Sequence, residues 1–452
     1  MKNLLKKKHL LILSSVSLTV LLLCFFVFIE NINDRDTKYF FRNSNIILII
    51  VDTLRADHLP FYGYERNTAP YISNFSRAAI LFENTIATSS WTKASVASIL
   101  SGLYPKSHGA MTREDILNKD LKILPEILKE NGYYTYAFIA NGNANEKFGF
   151  NQGYNFFHFM PGDKLPYAYS NELNRSLIPF IKNEIREPFF LLIHYNDPHE
   201  PHFPPESSRK YSINNTHAPS LNSFISEFKG DLKKATKEII NYYDDSILFN
   251  DSSIKIIMDI LNEKNFFKGS IIIIVSDHGQ EFYEHNKLYH GQSLYDESIR
   301  VPFLIKLPNI EHKRINNIVS LIDISPTILE LLGLKIPRNM QGISLFRSKK
   351  LERRKEVYSE LKLDKYESYS IRTLEQKYYY QILPSVAPQF YNLVNDPKEI
   401  NNLFDASSML LKEKNLIKKL VNWRKTNIYN GPRNKNLDEE QIRILKTLGY
   451  IK

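Results

Sequence analysis

Cysteine is all but missing. Cys24 is the only one among 452 residues, so no internal disulfide can form. It lies in an apolar N-terminal run, which leaves the rest of the chain without thiol chemistry; stability there has to come from the core and from any bound metal. Also missing are internal repeats, low-complexity tracts beyond a Lys-rich start, and any nucleic-acid-binding motif. Past the N-terminus the Lys and Arg residues are scattered, so the net charge of +10 does not by itself point to nucleic acid, and no such partner is expected. The charge fits a protein working beside anionic lipid or on anionic substrates, and equally a plain Lys-, Ile- and Asn-rich composition. Hydrophobic content of 43% and aromatic content of 13% rule out global disorder. The length suits one large α/β domain with a smaller one.

One segment breaks the pattern. In "MKNLLKKKHLLILSSVSLTVLLLCFFVFIE", Lys2, Lys6, Lys7 and Lys8 precede an uncharged run from Leu10 to Ile29. About twenty apolar residues can cross a bilayer as a helix, with the positive end inside. The run is long for a cleavable signal and no small-x-small cleavage site follows it. Cys24 has no small residue before it and "FFVF" after it, which argues against a lipoprotein cysteine. The expectation is an uncleaved single-pass anchor, with the N-terminus cytoplasmic and the remainder extracytoplasmic (periplasmic or extracellular). The bilayer is then a partner. The expected division is 1–30 for the Lys-rich tip and anchor, 31–44 for a polar spacer, 45–346 for the main domain and 347–452 for a C-terminal subdomain.

"NIILIIVD" (45–52), "YYTYAFIA" (133–140), "PFFLLIHY" (188–195) and "SIIIIVSD" (270–277) are continuous apolar runs of the kind that form buried parallel strands. Helical patterns lie between them at about 92–101, 120–131 and 237–264. The alternation predicts a doubly wound, mostly parallel sheet flanked by helices. Past residue 346, "EVYSEL", "YSIRTLEQKYYYQIL" and "QFYNLV" read as short alternating strands, with helices near 405–425 and 438–448. That predicts a smaller α+β subdomain.

Ligands in doubly wound sheets gather at the carboxyl ends of the strands. Asp52, His194 and Asp277 stand at or beside such ends. Four stretches place polar groups where packing has no use for them. "VDTLRADHLPFYGY" brings Asp52, Arg55, Asp57 and His58. "SSWTKASVASILSG" brings Thr92 and Lys93. "HYNDPHEPHFPP" brings His194, Asp197, His199 and His202. "VSDHGQEFYEHNKLYHGQSLYDE" brings Asp277, His278, His285 and His290. Oxygen ligands with one or two imidazoles suit one divalent ion, Mg, Ca, Mn or Zn. Such an ion polarises an ester's non-bridging oxygens and ionises a coordinated hydroxyl. Thr92 at a helix start adds backbone N–H groups and a positive dipole end for a tetrahedral anion. A hydroxyl nucleophile, a metal and an anion-binding helix end point to transfer of a phosphoryl or sulfuryl group. Each residue also has a plainer reading. Asp52 suits a turn, Thr92 an N-cap, Lys93 a solvated first helical turn, and His58, His108, His202 and His285 ordinary loop positions.

At these residues the chain resembles the sulfatase family of the alkaline phosphatase superfamily. "NIILIIVDTLRADHLPFYGY" looks like the family's opening strand and first metal-binding turn, and "HYNDPHEPHFPP" and "IIIVSDHGQEFYEH" like two further signatures. "HGQSLYDESIRVPFLI", "SLIDISPTILELLGL" and "QGISLF" continue the match in order. "QFYNLVNDPKEINNL" and "LDEEQIRILKTLGYI" resemble the C-terminal subdomain. The resemblance implies an alkaline phosphatase-like fold, a metal on Asp52, Asp277, His278 and Thr92, and Thr92 as nucleophile. It implies His199 as the substrate-binding histidine, and His290 lies near the position where many sulfatases hold the ester with a Lys. Departures matter as much. Dedicated sulfatases carry Cys or Ser in C/S-x-P/A-x-R, which becomes formylglycine. Here "TKASV" puts Thr at that position, Ala94 for Pro and Val96 for Arg, and the same conversion of Thr would give a ketone. Thr53 replaces the usual second Asp. A direct Thr alkoxide resembles the membrane-anchored phosphoethanolamine and phosphoglycerol transferases of the superfamily instead.

Three functional readings follow. The first is a metal-dependent hydrolase or transferase in which Thr92 attacks an anionic ester of a glycan, lipid or small molecule, with phosphoester chemistry favoured. His199 and His290 are then candidates to protonate the leaving alcohol, and Lys93 and Arg55 to neutralise non-bridging oxygens. The second is a sulfatase that works without formylglycine. The third is a non-catalytic, membrane-anchored binding protein on the same fold.

Overall fold

The computed structural model describes residues 41–162, 167–213, 221–346, 354–405, 407–426 and 428. Its centre is an eight-stranded sheet made of β1 (Ile46–Val51), β2 (Ile80–Ile86), β3 (Tyr134–Ile139), β4 (Phe156–Phe159), β5 (Phe189–Tyr195), β6 (Ile271–Val275), β9 (Arg300–Lys306) and β10 (Lys313–Ser320). Between β6 and β9 lies a short hairpin, β7 (Glu281–Phe282) with β8 (Leu288–Tyr289). The sheet order is β10-β2-β9-β6-β1-β5-β3-β4, and only β9 runs against its neighbours. A doubly wound, mostly parallel sheet is therefore what the chain forms.

The apolar runs follow from this position. In β1, Ile46, Leu48 and Ile50 enter one hydrophobic cluster, while Ile47, Ile49 and Val51 enter another on the opposite face. A strand covered on both sides has no solvent face, so the two-residue alternation disappears from its sequence. Helices Thr92–Ser101, Leu124–Glu130 and Ile324–Leu331 supply the first cluster; Pro70–Ser76, Ser170–Asn183 and Leu232–Glu263 supply the second. The last of these is longer than the 237–264 pattern. It starts at Leu232 because Asp231 caps it, accepting from Lys234 N at 3.1 Å.

The C-terminal subdomain is an antiparallel meander, β11 (Val357–Leu363), β12 (Tyr366–Arg372), β13 (Gln376–Leu383) and β14 (Gln389–Asn392). Helix Leu411–Lys425 covers it through Leu416 and Leu420, packed with Ile371, Tyr378 and Phe390. The meander is sewn to the main sheet. Glu360 N donates to Thr88 O at 2.9 Å, Lys106 N to Glu360 Oε1 at 2.7 Å, and Arg372 forks onto Asp296 at 2.7 and 3.1 Å. Among the described residues no helix is long and apolar enough to cross a membrane. The expected anchor at Leu10–Ile29 and the helix near 438–448 lie outside the described residues.

Candidate active site

Four neighbouring strands, β6, β1, β5 and β3, run in one direction and deliver polar residues at one edge. Asp52 follows β1, Asp277 and His278 follow β6, His194 and Asn196 sit at the end of β5, and Asn141 follows β3. All are buried. Parallel strands in register end at one level, which is why residues over two hundred positions apart meet here.

Thr92 joins them from above. It is the first residue of its helix; the N-cap is Trp91, whose φ of −158° and ψ of 153° are extended. The plain N-cap reading of Thr92 is thereby corrected. Its hydroxyl caps no backbone group but lies 3.3 Å from Asp52 Oδ2 and 3.3 Å from His278 Nε2. Every residue of the helix is buried, which its small residues Ala94, Ser95, Ala97, Ser98 and Ser101 permit. Both neighbours of Thr92 are tied to the 111–115 loop. Trp91 Nε1 donates to Met111 O at 3.0 Å, and Lys93 Nζ donates to Arg113 O and, at 3.0 Å, to Asp115 O.

His278 is oriented for ligation. Its Nδ1 pairs with Gly279 O at 2.9 Å, which leaves Nε2 facing Asp52 Oδ1 at 3.5 Å and Asp277 Oδ2 at 3.6 Å. A ring nitrogen fixed by a carbonyl on one side presents a lone pair on the other. Burial and the nearby His290 push the His278 pKa down to about 3, so the ring is neutral. The two carboxylates divide. Burial opposes ionisation of Asp52, but the ring nitrogens of His194, His278 and His199 gathered around it favour the ionised form and hold it well below the ordinary range. Burial and the Asp52 charge push Asp277 well above it.

Asp52 Oδ1 and Asp277 Oδ2 are buried without a hydrogen-bond partner, and with His278 they offer ligand atoms within 4.8 Å of one another. Buried oxygens left without donors are costly and fit a divalent cation of the hard or borderline kind. Asp52, Asp277, His278 and Thr92 are the residues that would hold it. Thr53, which stands where the family has a second Asp, has φ of +56°; its N–H points at Asp277 Oδ1, 3.3 Å away. A β-branched residue in that region is strained.

Beside this group is a second one. His199, Glu200 and His290 lie within 4.8 Å of one another. The His290 ring is 4.7 Å from His278 and 4.8 Å from His199. His290 Nδ1 meets Gln280 Oε1 at 3.2 Å and Glu200 Oε2 at 3.3 Å. Burial works against its charge, yet Glu200 carries its pKa above the ordinary histidine value. His199 Nε2 is buried and unpartnered.

Arg55 and Lys93 make their bonds elsewhere. Arg55 forks onto Asp57 at 2.9 and 2.7 Å and reaches Gln280 O at 2.8 Å and Glu284 at 2.6 Å. Its donors are taken up by the fold, against the expectation that they neutralise an ester. Lys93 is not solvated at all: it is fully buried, 3.5 Å from the Phe148 ring centroid, and burial holds its pKa well below the ordinary lysine range. None of their hydrogen bonds goes to Thr92, Asp52, Asp277 or His278. The loop histidines are structural. His58 pairs with Asp244 at 2.7 Å, His108 with Ala94 O at 3.1 Å, His202 with Pro198 O at 2.8 Å, and His285 with Glu297 at 2.6 Å.

The sequence reading missed Asn141, Asn196, Glu200 and Gln280. Asn141 Oδ1 accepts from Asn143 N at 2.7 Å, which turns its amide nitrogen toward Asp52 Oδ2, Asn196 Oδ1 (2.7 Å) and Thr92 Oγ1 (3.5 Å). It directly follows the 133–140 run, so the strand-end argument that picked out Asp52 applies to it equally.

A hydroxyl beside residues able to hold a divalent cation, at a helix start on the carboxyl edge of a parallel sheet, suits the metal-dependent hydrolases of anionic esters. Residues 44–334 match the family described as Sulfatase, and residues 284–426 match "N-sulphoglucosamine sulphohydrolase, C-terminal". The chain belongs to the sulfatase family, whose members are metal-dependent hydrolases of the sulfatase/alkaline phosphatase superfamily. It is 26% identical over 436 residues to an arylsulfatase of Clostridium perfringens, covering 80% of this chain and 90% of that protein. Two solved structures share the fold. A protein in complex with its substrate D-glucosamine-2-N,6-O-disulfate aligns with a TM-score of 0.74 at 20% identity, over 87% of this chain and 100% of that one. A phosphonate monoester hydrolase of Agrobacterium radiobacter aligns with a TM-score of 0.70 at 17% identity, over 85% and 96%. Membership in a family of hydrolases sets aside the non-catalytic reading.

Proposed function

We propose that the chain hydrolyses an ester of phosphorus, or transfers its anionic group, through Thr92. One observation carries this reading: the Thr92 hydroxyl, at the first position of a buried helix, lies 3.3 Å from both Asp52 and His278. Thr92 Oγ1 attacks phosphorus in line with the bond to the leaving oxygen. The hydroxyl proton has two acceptors at that distance. As the bond between phosphorus and the leaving oxygen breaks, His290 or His199 protonates the departing alcohol. Water, or an acceptor alcohol, then attacks phosphorus, the bond to Thr92 Oγ1 breaks, and Thr92 returns to its hydroxyl form. A divalent cation, when bound, supplies charge for the non-bridging oxygens and lowers the hydroxyl pKa. Asn141 adds an amide donor beside Thr92. An ester on Thr92 has no geminal hydroxyl to expel the group, so release needs attack at the central atom, the ordinary course of phosphoryl transfer. The apolar run at Leu10–Ile29 supports placing this domain on the outer side of a membrane.

The second reading is a sulfate ester, with the same nucleophile. It is favoured by the arylsulfatase relative and by the disulfated glucosamine bound to the related structure. A phosphorylated sugar fits the first reading and a sulfated sugar the second. The test is the full-length protein assayed on an aryl sulfate, a phosphate monoester and a phosphodiester, with mass spectrometry of Thr92 afterwards. A phosphate adduct and dominant phosphoester turnover are expected. Dominant sulfate turnover replaces the first reading by the second, and an unmodified Thr92 in a turning-over enzyme overturns both.

A further inference from the structure

We infer that Gln280 and His202 are positioning residues: a one-way chain of hydrogen bonds through their side chains fixes the His290 ring so that Nε2 is the atom that protonates the leaving alcohol. The inference rests on the ester-hydrolase reading, which leaves His290 and His199 both as candidate donors. The chain starts at a group that can only accept. His202 Nδ1 lies 2.8 Å from Pro198 O, so Nδ1 carries the hydrogen. Burial pushes the His202 pKa down to about 4, which leaves the ring neutral and makes its Nε2 an acceptor. Gln280 Nε2 lies 3.3 Å from that nitrogen and 3.0 Å from Glu200 Oε2. Both partners accept, so both amide hydrogens are placed and the amide has one orientation. Its Oε1 then faces His290 Nδ1 at 3.2 Å, with Glu200 Oε2 at 3.3 Å from the same nitrogen. Two acceptors on Nδ1 keep a hydrogen there. His290 Nε2 makes no hydrogen bond among the described residues and is the nitrogen left for a substrate.

The chain is part of the buried fold. Gln280 is fully buried and His202 is 1% exposed. The Gln280 backbone is held on both sides: its N–H donates to Glu297 O at 3.0 Å, and its carbonyl accepts from Arg55 Nη1 at 2.8 Å. Arg55 thus secures the residue that orients His290. His202 and Tyr289, the residue before His290, have φ of +52° and +74°, a region that non-glycine residues enter at a cost. The His290 ring lies 4.7 Å from that of His278, whose Nε2 is 3.3 Å from Thr92 Oγ1. No such chain reaches His199, whose Nδ1 turns to the Glu200 carbonyl at 2.8 Å. In the first step the Nε2 proton of His290 passes to the leaving oxygen as the bond from that oxygen to phosphorus breaks. In the second, water attacks phosphorus and gives Nε2 a proton, the bond to Thr92 Oγ1 breaks, and Thr92 recovers the hydrogen it gave up. Nδ1 keeps its hydrogen throughout.

The test uses full-length protein in detergent with a divalent salt. It compares kcat/KM on p-nitrophenyl phosphate, whose nitrophenolate leaves without a proton, with kcat/KM on ethyl phosphate, whose alkoxide does not; the two corresponding sulfates are run beside them. The readout is the ethyl-to-nitrophenyl ratio, which a general loss of structure leaves unmoved. Gln280→Met keeps the length and removes both amide groups, and should lower the ratio about 100-fold, as His290→Gln should. In the His290→Gln background, Gln280→Met should lower it no further. His202→Phe fits among Tyr243, Phe282 and Tyr289, whose ring centres are 5.5, 5.9 and 6.4 Å away, and replaces Gln280→Met if that variant does not fold. It should lower the ratio about tenfold, since the amide keeps its other partners. Lys255→Gln, on the long Leu232–Glu263 helix, should change nothing. An unmoved ratio in both variants, a ratio that answers to His199→Gln and not to His290→Gln, or a further fall in the double variant overturns the chain while ester cleavage stands. Nitrogen NMR of histidine-labelled protein gives an answer without turnover: His202 and His290 should both carry hydrogen on Nδ1, and His290 should lose that preference in Gln280→Met. If those tautomers hold but no ester is cleaved, the proposed function fails and the positioning of His290 stands; a His290 with its hydrogen on Nε2 alone overturns the positioning.

Discussion

Thr92→Val separates chemistry from structure at one atom. Valine has the shape of threonine and replaces only the hydroxyl, in a site that is 1% exposed. The hydroxyl's interactions with Asp52 and His278 are both 3.3 Å long, at the weak end for hydrogen bonds to oxygen or nitrogen. Asp52 keeps Asn141 and His194, so no buried carboxylate is stripped of its last partner. Stability should therefore change by less than about 1 kcal/mol, a few degrees in Tm. Turnover should fall about 10⁴- to 10⁶-fold, since a missing nucleophile removes roughly 5–8 kcal/mol of transition-state stabilisation. Thr92→Ser keeps the oxygen, loses a buried methyl at a cost of about 1 kcal/mol, and should stay within about tenfold of full kcat. Initial rates on p-nitrophenyl phosphate and p-nitrophenyl sulfate, beside a thermal melt, measure both quantities. A folded Thr92→Val enzyme retaining a tenth of its activity would refute the role given to Thr92.

Chelation should abolish activity and added Mn, Mg, Ca or Zn should restore it; Asp277→Asn should weaken the restoring cation's apparent affinity by at least about tenfold, read by titration. Glu200→Gln should lower kcat about 10²-fold and move the alkaline limb of the pH–rate profile toward lower pH, because Glu200 is what raises His290 and a general acid must be protonated. Asp197 is pushed by burial from 3.8 to about 6. Between those values the unfolded chain has lost a proton that the folded one keeps, so stability falls as pH rises from about 4 to 6, by roughly 3 kcal/mol, and is level above. Asp197→Asn should flatten that slope in Tm against pH. Gly279→Ala would place a Cβ 2.0 Å from the Glu297 carbonyl oxygen. It should cost more than about 3 kcal/mol by prising the 277–280 turn from its support.

The runs that became β1, β3, β5 and β6 were legible because burial on both faces leaves them almost wholly apolar, and Asp52 and Asp277 were legible because they break that rule at the strand ends. The other half of the sheet was not. In β2, "ILFENTI", Glu83 and Asn84 fall where the pairing with β9 shifts register, so the apolar run is interrupted. In β9, "RVPFLIK", Pro302 and the charged ends conceal a strand that is antiparallel to both neighbours. Glu200 lies inside "HYNDPHEPHFPP", but its use depends on His290, 90 positions later, and no local pattern signals that meeting. Arg55 and Lys93 show the converse. A cation near a reacting residue in sequence reads as substrate-facing, yet Asp57 and Glu284 occupy the first and backbone carbonyls the second.

The division between the two central carboxylates ties the site together. Asp52 is held ionised by the histidines around it, while Asp277, sharing the same buried volume, is pushed toward its neutral form by Asp52 itself. Two such groups cannot both carry charge in a dry site unless something positive joins them. The cations named in the sequence do not serve, because Arg55 and Lys93 are engaged elsewhere. Asp52, Asp277, His278 and Thr92 would hold a divalent ion, which would let both carboxylates ionise and would lower the pKa of a neighbouring hydroxyl. The electrostatic strain of the protein side and the activation proposed for Thr92 would then be one requirement, met by the same ion.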